Sequence, residues 1–430
     1  MAAPSAYRHR VRRLALAAAA LVPLTSLASV TACSTTPTTS TSAPAASSAA
    51  PVTPSPSVSP SASESMSAAP SPGGSSTTSR GARSCADAVA RMSLAEQVGQ
   101  VVMVAQSSTQ ASASGRATIR RLHLGSVVLL GNSTAGRSKT ARLTSSLRRD
   151  VGKVDGVGLL VAVDQEGGLV QRLQGPGFTR VPSAEVQSGW SDKTLRTRAT
   201  TWSKELDRAG VDLDLAPVAD VVPRSVGTRN APIGALHRGY GPDPAVVARK
   251  DVAFVQGMHA GGTATTVKHF PGLGRVRGNT DFAATVVDGT TTRRDALLAG
   301  FRSAVEHGTE AVMLSSATYR RIDPDHPATY SRTVVTTMLR RDLGFGGVVV
   351  SDDLLGKALA DTAVRTRGVR FVQAGGDLAL VGGVGAAAQV HRGLLDRARS
   401  DRAFRTRVQE SATRVLELKN GQSLVACSGS

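Results

Sequence analysis

The chain has 430 residues, with 51 Lys and Arg against 32 Asp and Glu, a formal net charge of +19 and only 3% aromatic residues. That length exceeds an ordinary single domain but suits one large barrel of alternating strands and helices with appendages. The basic balance suits anionic surroundings, whether nucleic acid, teichoic polymers or lipid headgroups. No Lys/Arg cluster is interleaved with stacking residues, however, so nucleic acid is disfavoured and an arginine-rich surface adapted to a cell envelope is the plainer reading.

At the N-terminus, Arg8, Arg10, Arg12 and Arg13 precede an uncharged apolar run from Leu14 to Val30. This is the pattern of an export signal, and without those four arginines the net charge is +15. The run is too short, and too rich in Ala and Ser, to read as a membrane-spanning helix. It ends in Val30-Thr31-Ala32-Cys33, which resembles a lipobox. A signal peptide over 1–32 is therefore expected, with Cys33 lipidated and exposed as the new N-terminus; a plain signal peptide cut nearby is the alternative. Residues 33–83 are almost wholly Ser, Thr, Pro and Ala and read as a disordered tether. Together they predict an extracytoplasmic domain anchored to the cell membrane, firmly so because one lipidated cysteine carries several acyl chains.

From residue 84 to 428 the pattern becomes regular. Eight apolar runs of strand length follow one another: Gln100–Ala105, Ser126–Leu130, Gly158–Val163, Val211–Val218, Ala264–His269, Ala311–Ser315, Gly347–Ser351 and Asp377–Val381. Between them lie periodic stretches that predict helices, among them Ser138–Arg149, Asp192–Ala209, Pro244–His259, Thr292–His307 and Ser331–Arg341. Strands alternating with helices imply a parallel sheet, and eight repeats imply a closed (β/α)8 barrel, an α/β fold with a single catalytic domain. Cys85 and Cys427 flank this region in an exported setting, so a disulfide tying its ends together is expected, two free thiols being the alternative.

Sites in such barrels gather at the carboxyl ends of the strands. The third run ends in Asp164-Gln165-Glu166-Gly167-Gly168, the fifth in Lys268-His269 and the seventh in Ser351-Asp352-Asp353. Charged groups at one barrel mouth are costly to desolvate unless they act on something, which makes these the candidates. No dinucleotide fingerprint follows a strand, and no metal-ligand spacing of His or Cys is present, so neither a cofactor nor a metal is expected.

The segments VAVDQEGGLVQRL, NAPIGALHRGYG, VKHFPGLG, HPATYSRTVVTTMLRRDLGFGGVVVSDDL and AGGDLALVG resemble, in order and spacing, those of family 3 glycoside hydrolases. The likeness is to the single-domain bacterial β-N-acetylhexosaminidases that act on peptidoglycan fragments, and it covers about residues 85–425. It implies a carbohydrate-binding monomer in which Asp352 is the nucleophile of a retaining reaction, forming a covalent glycosyl intermediate. It implies that Asp164 grips sugar hydroxyls and that Arg238, Lys268 and His269 position the pyranoside, with Arg172 on the same rim.

One departure from the family pattern bears on mechanism. In the hexosaminidase branch the loop after KHFPG carries a His, then an Asp-small-His triplet whose histidine is the acid/base. Here Leu273 stands for the first His, and Asn279-Thr280-Asp281 for the triplet. Three readings follow. Asp281 replaces the histidine, its carboxyl kept protonated by burial or by ionised Asp352, with Asn279 orienting it; or the donor comes from elsewhere; or hydrolysis is lost and the lipoprotein only binds glycan.

Overall fold

The structure is a computed structural model that describes residues 84–427. The expectations for the signal peptide over 1–32, the tether over 33–83 and Cys33 lie outside the described residues. Within them, eight parallel strands succeed one another in chain order: β1 (Val102–Ser107), β2 (Ser126–Leu130), β3 (Leu160–Val163), β4 (Leu213–Asp214), β5 (Ala264–Phe270), β6 (Ala311–Leu314), β7 (Val348–Ser351) and β8 (Ala379–Val381). Each pairs with the next, from Met103 opposite Ser126 round to Val348 opposite Ala311. The circle is completed by β8 on β1, with Val102 opposite Ala379, and by a single bridge from Val350 to Leu378. This is a closed (β/α)8 barrel.

The strands form where Val, Leu and Ala run uninterrupted, because both of their faces are buried. Inward residues including Met103, Val128, Leu160, Leu213, Met313, Val350 and Leu380 fill the barrel. Outward ones such as Val104, Val127, Val161 and Val349 pack beneath the surrounding helices. The period of two along each strand thus divides one apolar run between two cores.

Three expected elements stand out as different in extent or type. The run Val211–Val218 yields a ladder only over Leu213–Asp214, since Pro217 has no N–H to donate. The strand nevertheless keeps company with β5: Lys268 N donates to Pro217 O at 3.1 Å, and Ala219 N to Lys268 O at 2.8 Å. The helix expected from Thr292 starts later, as a 3-10 turn over Ala296–Leu298 that continues as an α-helix over Ala299–Glu306. Asp295 caps it by accepting from Leu297 N at 3.1 Å, and its other oxygen is held by Arg275. The helix expected over Ser331–Arg341 is present as a π-helix, Thr333–Asp342.

The amino-terminal end of the barrel is closed by the last helix, Arg402–Gly421, whose Val415 and Leu418 cap the interior core. Past it, Leu424 O accepts from Gly158 N at 2.8 Å just ahead of β3, and a disulfide joins Cys427 to Cys85 with a Cα separation of 5.0 Å. Closing so long a loop stabilises by on the order of 5 kcal/mol in the chain-entropy treatment. Under the barrel lies Lys419, fully buried, whose Nζ donates to Gln100 Oε1 at 2.7 Å and Gly158 O at 3.0 Å.

Burial pushes the Lys419 ammonium down to about 7, against the opposing pull of Asp212. An unfolded lysine titrates near 10.4, so between these values the unfolded chain holds the extra proton and rising pH favours the folded state. Urea unfolding of the parent should therefore show stability gained from pH 7 towards 10 that Lys419→Met lacks, the difference approaching about 1.4 kcal/mol per pH unit. Parallel pH profiles for the two proteins would contradict this.

Candidate active site

The carboxyl ends of the strands open into a pocket of about 370 Å³. Its floor is apolar, formed by Leu130, Leu215, Met313 and Leu380, and its walls carry Asp164, Arg172, Arg238, Lys268, His269, Asp281, Asp352 and Asp353. Every sugar-contacting or catalytic candidate named from the sequence therefore lines one cavity. They come from separate loops: β3 delivers Asp164, β5 delivers Lys268 and His269, and β7 delivers Asp352 and Asp353.

Lys268 is the hub. Its Nζ, 2% exposed, lies 2.6 Å from Asp164 Oδ1 and 2.7 Å from Glu166 Oε1. Glu166 is also gripped in fork fashion by Arg238, whose Nε and Nη2 donate to its two oxygens at 2.8 and 2.7 Å. Burial alone would raise the Glu166 carboxyl; Arg238 and Lys268 outweigh it and hold the group well below the usual carboxylate range. Glu166 was not assigned a role from the sequence, although it stands in the DQEGG run. The chain turns sharply there, with Gln165–Gly167 pairing back on Val170–Gln171, so Glu166 points inward beside Asp164. A β-carbon at Gly167, where φ is +103°, would lie 2.3 Å from Pro182 O.

Asp220 is the second residue that sequence reasoning missed. Wholly buried two residues beyond the β4 run, it accepts from His269 Nδ1 at 2.7 Å and from Leu273 N at 2.6 Å. The hydrogen bond commits Nδ1 and leaves Nε2 of His269 for the pocket. The end of the fourth run was the signal available: an Asp follows Ala-Pro-Val-Ala there.

Asp352 accepts from Asp353 N at 2.9 Å. Its carboxyl is raised by burial and by Asp281, against the pull of His269 and Lys268. Asp353 Oδ1 accepts from Leu355 N at 2.9 Å and Gly382 N at 2.8 Å, and a β-carbon at Gly382 would stand 2.2 Å from its other oxygen. Asp281 is exposed on its outer side yet crowded on its inner one. That crowding, followed by Asp353, raises its carboxyl, while His269 opposes the rise. Asn279 does not orient the Asp281 carboxyl; its Oδ1 accepts from the Asp281 main-chain N at 2.9 Å and so fixes the loop. The loop is further pinned to the β7 loop, Lys357 N donating to Asp281 O at 3.3 Å and Ala358 N to Thr280 O at 3.0 Å. Arg172, at the rim, donates to Asn132 Oδ1 at 3.2 Å.

The pocket thus holds three carboxyl groups with raised proton affinity, Asp281, Asp352 and Asp353, beside a buried network of opposite charges. Residues 93–418 match the glycosyl hydrolase family 3 N-terminal domain. The chain belongs to this family, and it is a glycoside hydrolase. A β-hexosaminidase of Xanthomonas oryzae pv. oryzae is 32% identical over 300 residues, spanning 65% of this chain and 83% of that protein. One from Xylella fastidiosa is 36% identical over 241 residues, spanning 53% and 67%. Among solved structures, a β-N-acetylhexosaminidase from Beutenbergia cavernae superposes with a TM-score of 0.76 at 42% identity, covering 77% of this chain and 99% of that one. A family 3 β-N-acetylglucosaminidase from a Paenibacillus species gives 0.70 at 31% identity, covering 79% and 64%. In this family 3 chain the Glu166 fork is a buried pair, and such pairs leave an uncompensated charge when one partner goes. Glu166→Gln should cost about 3–5 kcal/mol of stability by urea unfolding and weaken glycan binding together; a loss below about 1 kcal/mol would show that Arg238 and Lys268 are satisfied without it.

Proposed function

We propose that this glycoside hydrolase is an exo-acting, retaining enzyme that releases terminal β-linked N-acetylglucosamine, or a closely related sugar, from cell-wall-type glycans. Support for the sugar comes from the names of the similar proteins, β-hexosaminidases and a family 3 β-N-acetylglucosaminidase. Support for the reaction comes from one observation above all: Asp352 and Asp281 share a blind pocket of about 370 Å³, and His269 acts electrostatically on both. Asp352, held by a main-chain N–H and facing His269 and Lys268, attacks the anomeric carbon as the anion and forms the glycosyl ester. Asp281 gives its proton to the departing oxygen, then takes one from the water that releases the sugar. Asp164, braced by Lys268, accepts from sugar hydroxyls, and Arg238, His269 and Arg172 complete the grip. Lipidation of Cys33 places the enzyme on the extracytoplasmic face of the membrane, a reading that rests on the VTAC sequence closing the apolar export segment.

The retained carboxylates favour an enzyme over a binding protein, which has no use for a nucleophile at that place. The assignment of Asp281 has a kinetic signature, because an alkoxide leaving group needs a proton and a dinitrophenolate does not. Asp281→Asn should slow a natural disaccharide by about 100-fold to 10,000-fold while sparing glycosylation by a dinitrophenyl glycoside. The parent should show a bell-shaped pH profile, its acid limb set by Asp352 and its alkaline limb by loss of the Asp281 proton. Both limbs should lie above the ordinary carboxylate range, since burial and neighbouring carboxylates raise both groups. In Asp281→Asn the alkaline limb should vanish. Equal loss on both substrates would make Asp281 structural, no loss on either would place the donor elsewhere, and a parent that binds amino-sugar glycans without cleaving either substrate would be a glycan-binding protein.

A further inference from the structure

A pocket of about 370 Å³ with an apolar floor takes in roughly one sugar ring, near the lower end of ligand-pocket volumes. Whatever is attached to that ring must leave over the rim. The rim is unlike the rest of the surface. Among the described residues four large hydrophobic side chains are exposed, Leu169, Val186, Phe282 and Leu355. One of them lines the pocket mouth, and two stand close in sequence to residues that line it. Phe282 lines it and is 76% exposed. Leu169 is at the tip of the hairpin whose Val170 lines the pocket, and Leu355 lies two residues beyond the pocket residue Asp353.

The exposure of Phe282 does not arise from a loose loop. Its own N–H donates to Asn279 O at 3.1 Å, Ala283 N donates to the same oxygen at 2.9 Å, and the preceding residues are bonded to Lys357 and Ala358. A phenyl ring fixed in water by a bonded loop gives up the free energy its burial would contribute, which marks it as a surface that something else covers. Its place identifies the occupant. Phe282 directly follows Asp281, and a proton donor must stand within hydrogen-bond reach of the leaving oxygen. The atoms beyond that oxygen therefore pass over Phe282. A β-linked pyranose with equatorial substituents presents a face of axial C–H bonds, which packs on an aromatic face as apolar matter does while its hydroxyls stay in water.

We propose that Phe282 is the platform of a leaving-group subsite that binds a second pyranose through its C–H face. The proposal rests on the glycosidase reading given above. It makes Phe282 a specificity-determining residue for what departs and leaves the ring that is attacked to the charged pocket.

The test compares two substrates that share the attacked ring, di-N-acetylchitobiose and methyl β-N-acetylglucosaminide. In Phe282→Ala the ratio of kcat/KM for the disaccharide to that for the methyl glycoside should fall about tenfold, the change carried mainly by KM, and Phe282→Trp should restore it. Because the ring is exposed, far-UV circular dichroism of both variants should match the parent. An unchanged ratio would overturn the proposal, and so would an equal loss on both substrates, which would mean that Phe282 only shapes the Asp281 loop. A parent that hydrolyses neither substrate would overturn the glycosidase reading, and this subsite with it, an outcome distinguishable from either result on the variants.

Discussion

The arrangement of the pocket depends on one buried cation. Lys268 stands at the end of β5 and draws Asp164 and Glu166 from the β3 loop to within 2.7 Å, while Arg238 secures Glu166 from the far side. Burying charges costs several kcal/mol per ion, and attraction offsets this only when the remaining hydrogen-bonding positions are filled. Here they largely are, which fixes the β3 loop, the β5 end and the segment carrying Arg238 relative to one another before any ligand arrives. A pre-set array of this kind avoids reorganisation when charge develops during reaction. On the opposite wall the proposed nucleophile and donor are left less compensated, so their proton affinities rise. The same mouth thus holds a strongly ionised half and a half poised to exchange a proton.

The barrel separates this chemistry from the disulfide and the last helix. Cys85 and Cys427 are bonded beside the last helix, where Cys427 N donates to Asn420 Oδ1 at 3.2 Å. The pocket opens at the carboxyl ends. Stability concerns and catalytic concerns therefore occupy opposite faces of one closed sheet.

Much of this was legible in the sequence because parallel strands buried on both faces must read as continuous Val/Leu runs, and all eight runs are strands. Where the reading ran long, at Val211–Val218, the cause is local: Pro217 breaks the ladder that the apolar pattern predicts. The strand ends named from the sequence, at Asp164, Lys268-His269 and Asp352, do line one pocket, since a barrel brings every strand end to the same mouth. Glu166 and Asp220 were harder to read. Each acts by touching a residue 72 or 49 positions away in the chain, Arg238 and His269 respectively, and no spacing rule reports such contacts. The role of Asn279 was also beyond reach, because a side chain that fixes its own loop and one that orients a neighbouring carboxyl occupy the same place in sequence.

The central claim is that Asp352 forms a covalent bond to the sugar. It is tested most directly by incubating the parent with a 5-fluoro-N-acetylglucosaminyl fluoride, which keeps the 2-acetamido group and slows release of the intermediate, and mapping the adduct by peptide mass spectrometry. The account predicts one fluorosugar per chain, on the peptide containing Asp352 and on that residue. A label on another carboxylate, or substrate turnover through an intermediate that never labels the protein, would contradict it.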